Sequence, residues 1–242
     1  MNEKTTHPSS RSRTWFLLPL WGLCAASLVG CSATQKVAVK QSDVNCALLG
    51  ADCAKLTPRG NDEQAGLSYI NPAAQWTQYN KIIIDPVTSW GGDNAKISAS
   101  DRQNLVDFFS QQLHEQLAKK FQVVTQPGPG TLKLSVALTD AEAATPGLRS
   151  ISMVVPQAHM ISNLSYLATG SFPFVGGAQA EAKIADSVTG QTLAAAVDRR
   201  IGGGSMAAGF QWQWGDVENA ITKWSEMIAE KLSSWTSGKV KP

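Results

Sequence analysis

The spacing of apolar and polar positions changes period several times along this chain of 242 residues, and each change predicts an element. Tyr79 to Asp85 holds the β-branched run Ile82-Ile83-Ile84 and is stopped by Pro86, which predicts a central strand covered on both faces. Leu105, Phe108, Phe109, Leu113, Leu117 and Phe121 recur at helical spacing, and Ser100 with Gln103 resembles a capping box. Asp101 to Lys120 therefore reads as an amphipathic helix. Phe121 to Thr125 is a short strand candidate, followed by the turn signal Pro127-Gly128-Pro129-Gly130. Thr131 to Thr139 places Leu132, Leu134, Val136 and Leu138 on one face, the alternation of a half-buried strand. Ala178 to Ser187 and Thr192 to Ile201, separated by Val188-Thr189-Gly190-Gln191, predict a β-hairpin. Val217, Ala220, Ile221, Trp224, Ile228, Leu232 and Trp235 predict a long helix from about Asp216.

These elements predict an α/β (α+β) fold: a mixed sheet of about four to five strands with two main helices on one face. The body is assigned to residues 67–236, with order expected from about Trp76 and a short tail at 237–242. Residues 31–66 are polar and rich in small side chains, with Pro58, Gly60 and Gly66 and no sustained period. They read as a flexible tether, with a coil reach of about 30 to 35 Å. An alternative, in which the segment around Cys46 and Cys53 packs onto the body, stays open.

The first thirty residues have a different pattern. Lys4, Arg11 and Arg13 precede a mainly apolar run from Trp15 to Gly30, the layout of a secretory signal. The run is interrupted by Pro19 and Gly22 and is short for a bilayer span, which needs about 20 apolar residues. It closes on Leu28-Val29-Gly30-Cys31, which resembles the lipobox of bacterial lipoproteins. That resemblance implies cleavage after Gly30 and a diacylglyceryl group on the Cys31 thiol, with the membrane as a partner through that anchor. Each buried acyl CH₂ contributes about 0.8 kcal/mol, so two or three chains hold essentially permanently. Ser32 at the next position favours the outer membrane, periplasmic face, under the enteric sorting rule.

Removing the leader changes the charge. It carries three of the 21 basic and one of the 19 acidic residues, so 18 of each remain and the net charge is zero. No basic field is left to gather phosphates, which argues against nucleic acid as a partner. Of the four cysteines, Cys24 lies in the leader and Cys31 is the proposed anchor. Cys46 and Cys53 read as a possible disulfide, as an oxidising compartment permits.

Further phrases carry a second resemblance. Lys81-Ile82-Ile83-Ile84-Asp85-Pro86-Val87 with Trp90, Leu138-Thr139-Asp140, Asp186-Ser187-Val188-Thr189-Gly190 and Trp214-Gly215-Asp216-Val217 resemble the bacterial lipoprotein family named domain of unknown function 3313. The resemblance spans about residues 67 to 235 and implies a compact α/β domain in an envelope lipoprotein. No established activity comes with it.

Catalytic signatures are scarce. Beyond the leader the only histidines are His114, on the predicted helix, and His159. No His-Glu-x-x-His, Cys/His cluster or acidic calcium loop occurs, so neither metal nor cofactor is expected. Gly203-Gly204-Ser205 lacks the second glycine of a nucleophile elbow, and no phosphate loop is present. Asp85, Asp140, Glu181, Asp186 and Asp198 remain as candidates for acid or base work. Asp85 and Asp140 end predicted strands, where open α/β sheets place ligands, whereas turn capping accounts for Asp85 and Asp186; Glu181 shares a strand face with Lys183, and cross-strand pairing with an opposing Arg199 accounts for it.

The stretch 151–177 is apolar yet broken by Pro156, Pro173 and glycines. It reads either as a core helix with a following loop or as a ligand or partner surface containing His159, Met160, Tyr166, Phe172 and Phe174. The expected function is thus a non-catalytic envelope module with an envelope protein partner. Binding of a small apolar or lipid ligand by 151–177 is the alternative, and a carboxylate-dependent hydrolase is a third reading. Sequence leaves the oligomeric state open.

Overall fold

The computed structural model describes residues 1, 34–61, 63–89, 97–144, 175–202 and 213–241. The chain divides into residues 1–30 and 31–242, and the elements below belong to the second unit. Three groups of expectations lie outside the described residues: the leader with Leu28, Val29, Gly30 and Cys31; the surface residues His159, Met160, Tyr166, Phe172 and Phe174; and Gly203 with Gly204.

The strands are β1 (Thr34–Val37), β2 (Thr57–Pro58), β3 (Leu67–Ile70), β4 (Lys81–Ile84), β5 (Thr88–Ser89), β6 (Gln122–Val123), β7 (Thr131–Glu142), β8 (Gly177–Asp186) and β9 (Thr192–Gly202). The long helices are α1 (Ala99–Ala118) and α2 (Gly215–Thr236). The sheet runs β2-β3-β9-β8-β7-β4-β6, with β1 also on β9 and β5 on β7. It is mixed: β4 runs parallel to β6 and β7, while β7, β8 and β9 are antiparallel. The α/β class holds, but the described residues form nine strands in place of the expected four to five. The additional strands are two to four residues long, below the length at which alternation is visible in sequence. Pairing with longer neighbours defines them instead.

The main core lies between the helices and one sheet face. Leu132, Leu134, Val136 and Leu138 of β7 and Ala178, Ala180 and Ile184 of β8 meet Leu105, Phe109, Leu113 and Leu117 of α1 and Val217, Ile221, Trp224 and Leu232 of α2. Burying each large apolar side chain contributes about 1.5–3 kcal/mol, so this seam holds both helices to the sheet. Phe109 stacks on Trp224 with ring centroids 5.9 Å apart. Helix α1 starts earlier than its apolar period suggested: Ser98 is the N-cap, its Oγ accepting the Asp101 N–H at 3.0 Å. β4 lies beside the edge strand β6, so it is not central; Ile82 is buried, whereas Ile83 and Ile84 are partly covered.

The described part of the segment expected as a tether, from Thr34 on, is folded. β1 pairs with the C-terminal part of β9, Thr34 opposite Gly202 and Val37 opposite Arg199. Gln41–Asp43 and Gly50–Lys55 form 3₁₀ turns, and Leu49, Cys53 and Leu56, in and beside the second turn, pack with Leu67, Ala195 and Val197 in a second core. This core occupies the opposite face of the sheet, because Ala195 and Val197 alternate with Ala194 and Ala196 along β9. Polar composition concealed the segment because its few apolar residues are clustered by the turns rather than spaced periodically.

Candidate functional site

The most elaborate polar arrangement in the described structure lies where β9 changes partners. β3 pairs with β9 as far as Val197, and β1 takes over at Arg199. Asp198 falls at the changeover, and its carboxylate replaces the missing ladder contact by accepting the Gly66 N–H at 2.8 Å. It also accepts Arg200 Nε–H at 2.8 Å and the Trp224 indole N–H at 2.9 Å. Arg200, itself 2% exposed, donates to Thr34 Oγ1 at 3.3 Å and points another nitrogen at Met227 Sδ. One buried ion pair thereby joins β1, β3, β9 and α2. Burial raises the Asp198 pKa, and the Arg200 charge with the Trp224 and Gly66 donors opposes that push. With its lone pairs committed, the carboxylate is suited to holding elements together rather than to proton transfer.

A second cluster sits at the same end of the sheet. The carboxylate of Asp216, in the first turn of α2, accepts the Gly176 N–H at 3.0 Å. An acid in that turn also complements the helix dipole. A Cβ on Gly202 would overlap the Asp216 carboxylate, and one on Gly176 would lie 2.9 Å from the Ala144 nitrogen. Trp214 is buried immediately before the helix. The phrase Trp214-Gly215-Asp216-Val217 thus works as a fitted joint: indole and Val217 in the core, carboxylate against glycine backbone.

On the opposite sheet face, Glu181 is fully buried and accepts the Cys46 N–H at 3.1 Å. Burial raises its pKa against the lowering influence of the Cys46, Asn45 and Leu48 backbone N–H groups. Arg199 does not pair with it, because Arg199 stands opposite Gln179 in the register and binds Asp140 at 3.1 Å. Cys46 and Cys53 form a disulfide with Cα atoms 5.6 Å apart, closing the turn that covers Glu181. Asp52, in that turn, receives Lys55 at 2.8 Å, Thr192 Oγ1 at 2.6 Å and Lys183 at 3.1 Å. Burial alone would raise its pKa, but these donors and the Lys183 charge lower it to about 2.

The other candidate acids are dispersed. Asp85 accepts Ser135 Oγ–H at 2.6 Å and pairs with Lys133 at 3.3 Å. Asp186 caps its own turn, accepting N–H groups from Val188 and Thr189 at 3.1 and 2.8 Å and the Tyr79 hydroxyl at 3.0 Å. His114 is exposed on α1 with Nδ1 2.8 Å from the Ser110 carbonyl oxygen. No three His, Cys, Asp or Glu side chains among the described residues are grouped to hold a metal. A shallow depression of about 490 Å³ at the β6 edge is lined by Lys81, Gln122–Gly128 and Thr131, with no carboxylate, thiol or imidazole. No helix among the described residues is long and apolar enough to cross a membrane.

A family model described as "Protein of unknown function (DUF3313)" matches residues 48–228. The chain belongs to that family. No curated protein matches the chain. Among solved structures it is similar to a PelC dodecamer from Paraburkholderia phytofirmans, at 10% identity and a TM-score of 0.36 over 67% of this chain and 94% of that one. Protein XCC0632 from Xanthomonas campestris is similar at 10% identity and a TM-score of 0.39, covering 70% and 92% respectively. A DUF4136 family protein from Bacteroides thetaiotaomicron is similar at 8% identity and a TM-score of 0.33, covering 70% and 95%.

Within the DUF3313 body, the Asp198–Arg200–Trp224 joint is the arrangement that sequence reading missed. Its signal was present in β9: Ala194, Ala196, Asp198 and Arg200 share the face turned toward the helices, so two charged residues continue a small-residue stripe. Opposite charges at such positions indicate a buried pair.

Proposed function

We propose that this protein is an envelope lipoprotein, anchored through Cys31 to the outer membrane and facing the periplasm, whose α/β body is a non-catalytic module that engages another envelope protein. The observation carrying this reading is the Leu28-Val29-Gly30-Cys31 lipobox at the end of an apolar leader. The Cys46–Cys53 disulfide supports it, since such bonds persist in oxidising compartments. The engaged state of Asp85, Asp140, Asp186 and Asp198 supports a binding role over acid–base chemistry.

Labelling cells with an alkyne-bearing palmitate analogue tests the anchor. The wild-type chain should take up label and fractionate with outer membrane, and Cys31→Ala should lose both properties. An unlabelled wild-type protein in the soluble fraction would overturn the anchor. Crosslinking in intact cells, followed by mass spectrometry, tests the partner: a reproducible envelope protein is expected, and repeated capture of none at native expression would overturn the interaction role.

A further inference from the structure

Thr34, the first residue of β1, is already fixed in the folded body. It is 3% exposed, stands opposite Gly202 in the β1–β9 ladder and accepts a hydrogen bond from Arg200. Val37 at the other end of β1 is also buried, and Lys36 between them donates to the Arg59 and Asn61 carbonyl oxygens, both at 2.8 Å. Releasing β1 would therefore break a ladder, a buried contact and two charged hydrogen bonds together.

The direction of β1 decides where the preceding chain leaves the body. Because β1 is antiparallel to β9, its N-terminal end lies at Gly202, the end of the sheet where α2 begins. The hairpin turn at Val188 lies at the opposite end of β9. Eleven residues of β9 separate the two, which is about 33–37 Å of strand. Cys31 precedes Thr34 by three residues, and three extended residues span at most about 11 Å. The strap can thus reach at most about a third of the strand's length.

We infer that the body docks end-on against the lipid surface, with the Gly202 and Gln213 end at the headgroups and the Val188 turn pointing away. The inference rests on the proposed lipid anchor at Cys31 and adds the surface that meets the bilayer. It also inverts the expectation of a long reach: the strap is too short for the body to turn over or to work far from the membrane. A partner protein would then meet the sides or the Val188 end of the body.

The test uses the full chain, processed and lipidated, in vesicles of phosphatidylethanolamine and phosphatidylglycerol containing a headgroup spin-labelled lipid as quencher. A fluorophore is attached at Gln213→Cys or, separately, at Val188→Cys; both positions are exposed. Loss of emission is expected at 213 and unchanged emission at 188. A third protein carries the 213 label and a Gly/Ser insertion of about 20 residues after Ala33, which adds a reach of roughly 25 Å. Its emission should return to the level of the 188 label. Equal emission from the two labels on vesicle-bound protein overturns end-on docking, and quenching that survives the insertion overturns the strap as its cause. Failure of the wild-type chain to carry lipid or bind vesicles overturns the anchor reading instead.

Discussion

The Trp224 indole N–H donates to the Asp198 carboxylate at 2.9 Å, so the helix layer is attached to β9 by a hydrogen bond beside the apolar core. The same carboxylate holds Arg200. Breaking a buried ion pair by removing one partner costs about 3–5 kcal/mol, because the remaining charge keeps its desolvation penalty. Asp198→Ala should therefore lower stability by that amount in urea unfolding. Trp224→Phe keeps a ring against Phe109 but removes the donor, and should cost about 1.5–3 kcal/mol. The double variant should be less destabilised than the sum of the singles, since the residues share one network. Additive effects would show that the joint does not act as a unit.

Gly202 and Asp216 make a second coupled pair. A Cβ at residue 202 has no space while the Asp216 carboxylate is present. Gly202→Ala should cost about 1–3 kcal/mol, the usual consequence of overpacking. In an Asp216→Ala background the same substitution should cost markedly less. Thermal melts of the four proteins give the cycle directly, and an equal cost in both backgrounds would show that the carboxylate is not the obstacle.

These two joints mark the limit of what the sequence could disclose. Long periodic segments were legible: the apolar spacing of Leu105, Phe109, Leu113 and Leu117 located α1, and all four are buried. The β8–β9 hairpin was legible for the same reason, its residues alternating on either side of a turn at Gly190. β1 was not, since Thr34-Gln35-Lys36-Val37 gains its structure from Gly202 to Arg199 on a distant strand. Glu181 was expected in a cross-strand ion pair, and neither its burial nor its actual partner was legible. The Cys46 N–H that it accepts comes from a turn 135 positions away, and no local pattern encodes that approach.

Acid should act through Asp52. Its folded pKa of about 2 lies below the ordinary value of 3.8, so the unfolded chain takes up the proton first as pH falls. The contribution is present above pH 3.8 and is lost as pH falls toward about 2, amounting to roughly 2 kcal/mol for this shift. Asp52→Asn should flatten the acid limb of the stability curve, measured by urea unfolding at successive pH values. An acid limb identical to that of the wild type would show that the Lys55, Thr192 and Lys183 contacts do not hold this carboxylate in solution.

Glu181 should give the opposite slope. Its Oε2 has no hydrogen-bond partner among the described residues, and burial raises its pKa above the ordinary value of 4.5. Above pH 4.5 the folded protein retains a proton that the unfolded chain has released, so its stability falls as pH rises toward the folded pKa. Glu181→Gln preserves the shape and an acceptor for the Cys46 N–H while remaining neutral at every pH. Its stability relative to the wild type should therefore increase as pH rises above 4.5, and level off once the native carboxyl has ionised. The variant also separates charge from packing: if the 46–53 turn depends on a neutral side chain beneath it, Gln should protect the disulfide from reductant better than Glu at pH values where the native carboxyl is ionised. Unfolding curves and thiol-exchange rates measured on the same samples check both expectations, and a pH-independent difference between the two proteins would show that Glu181 does not titrate inside the fold.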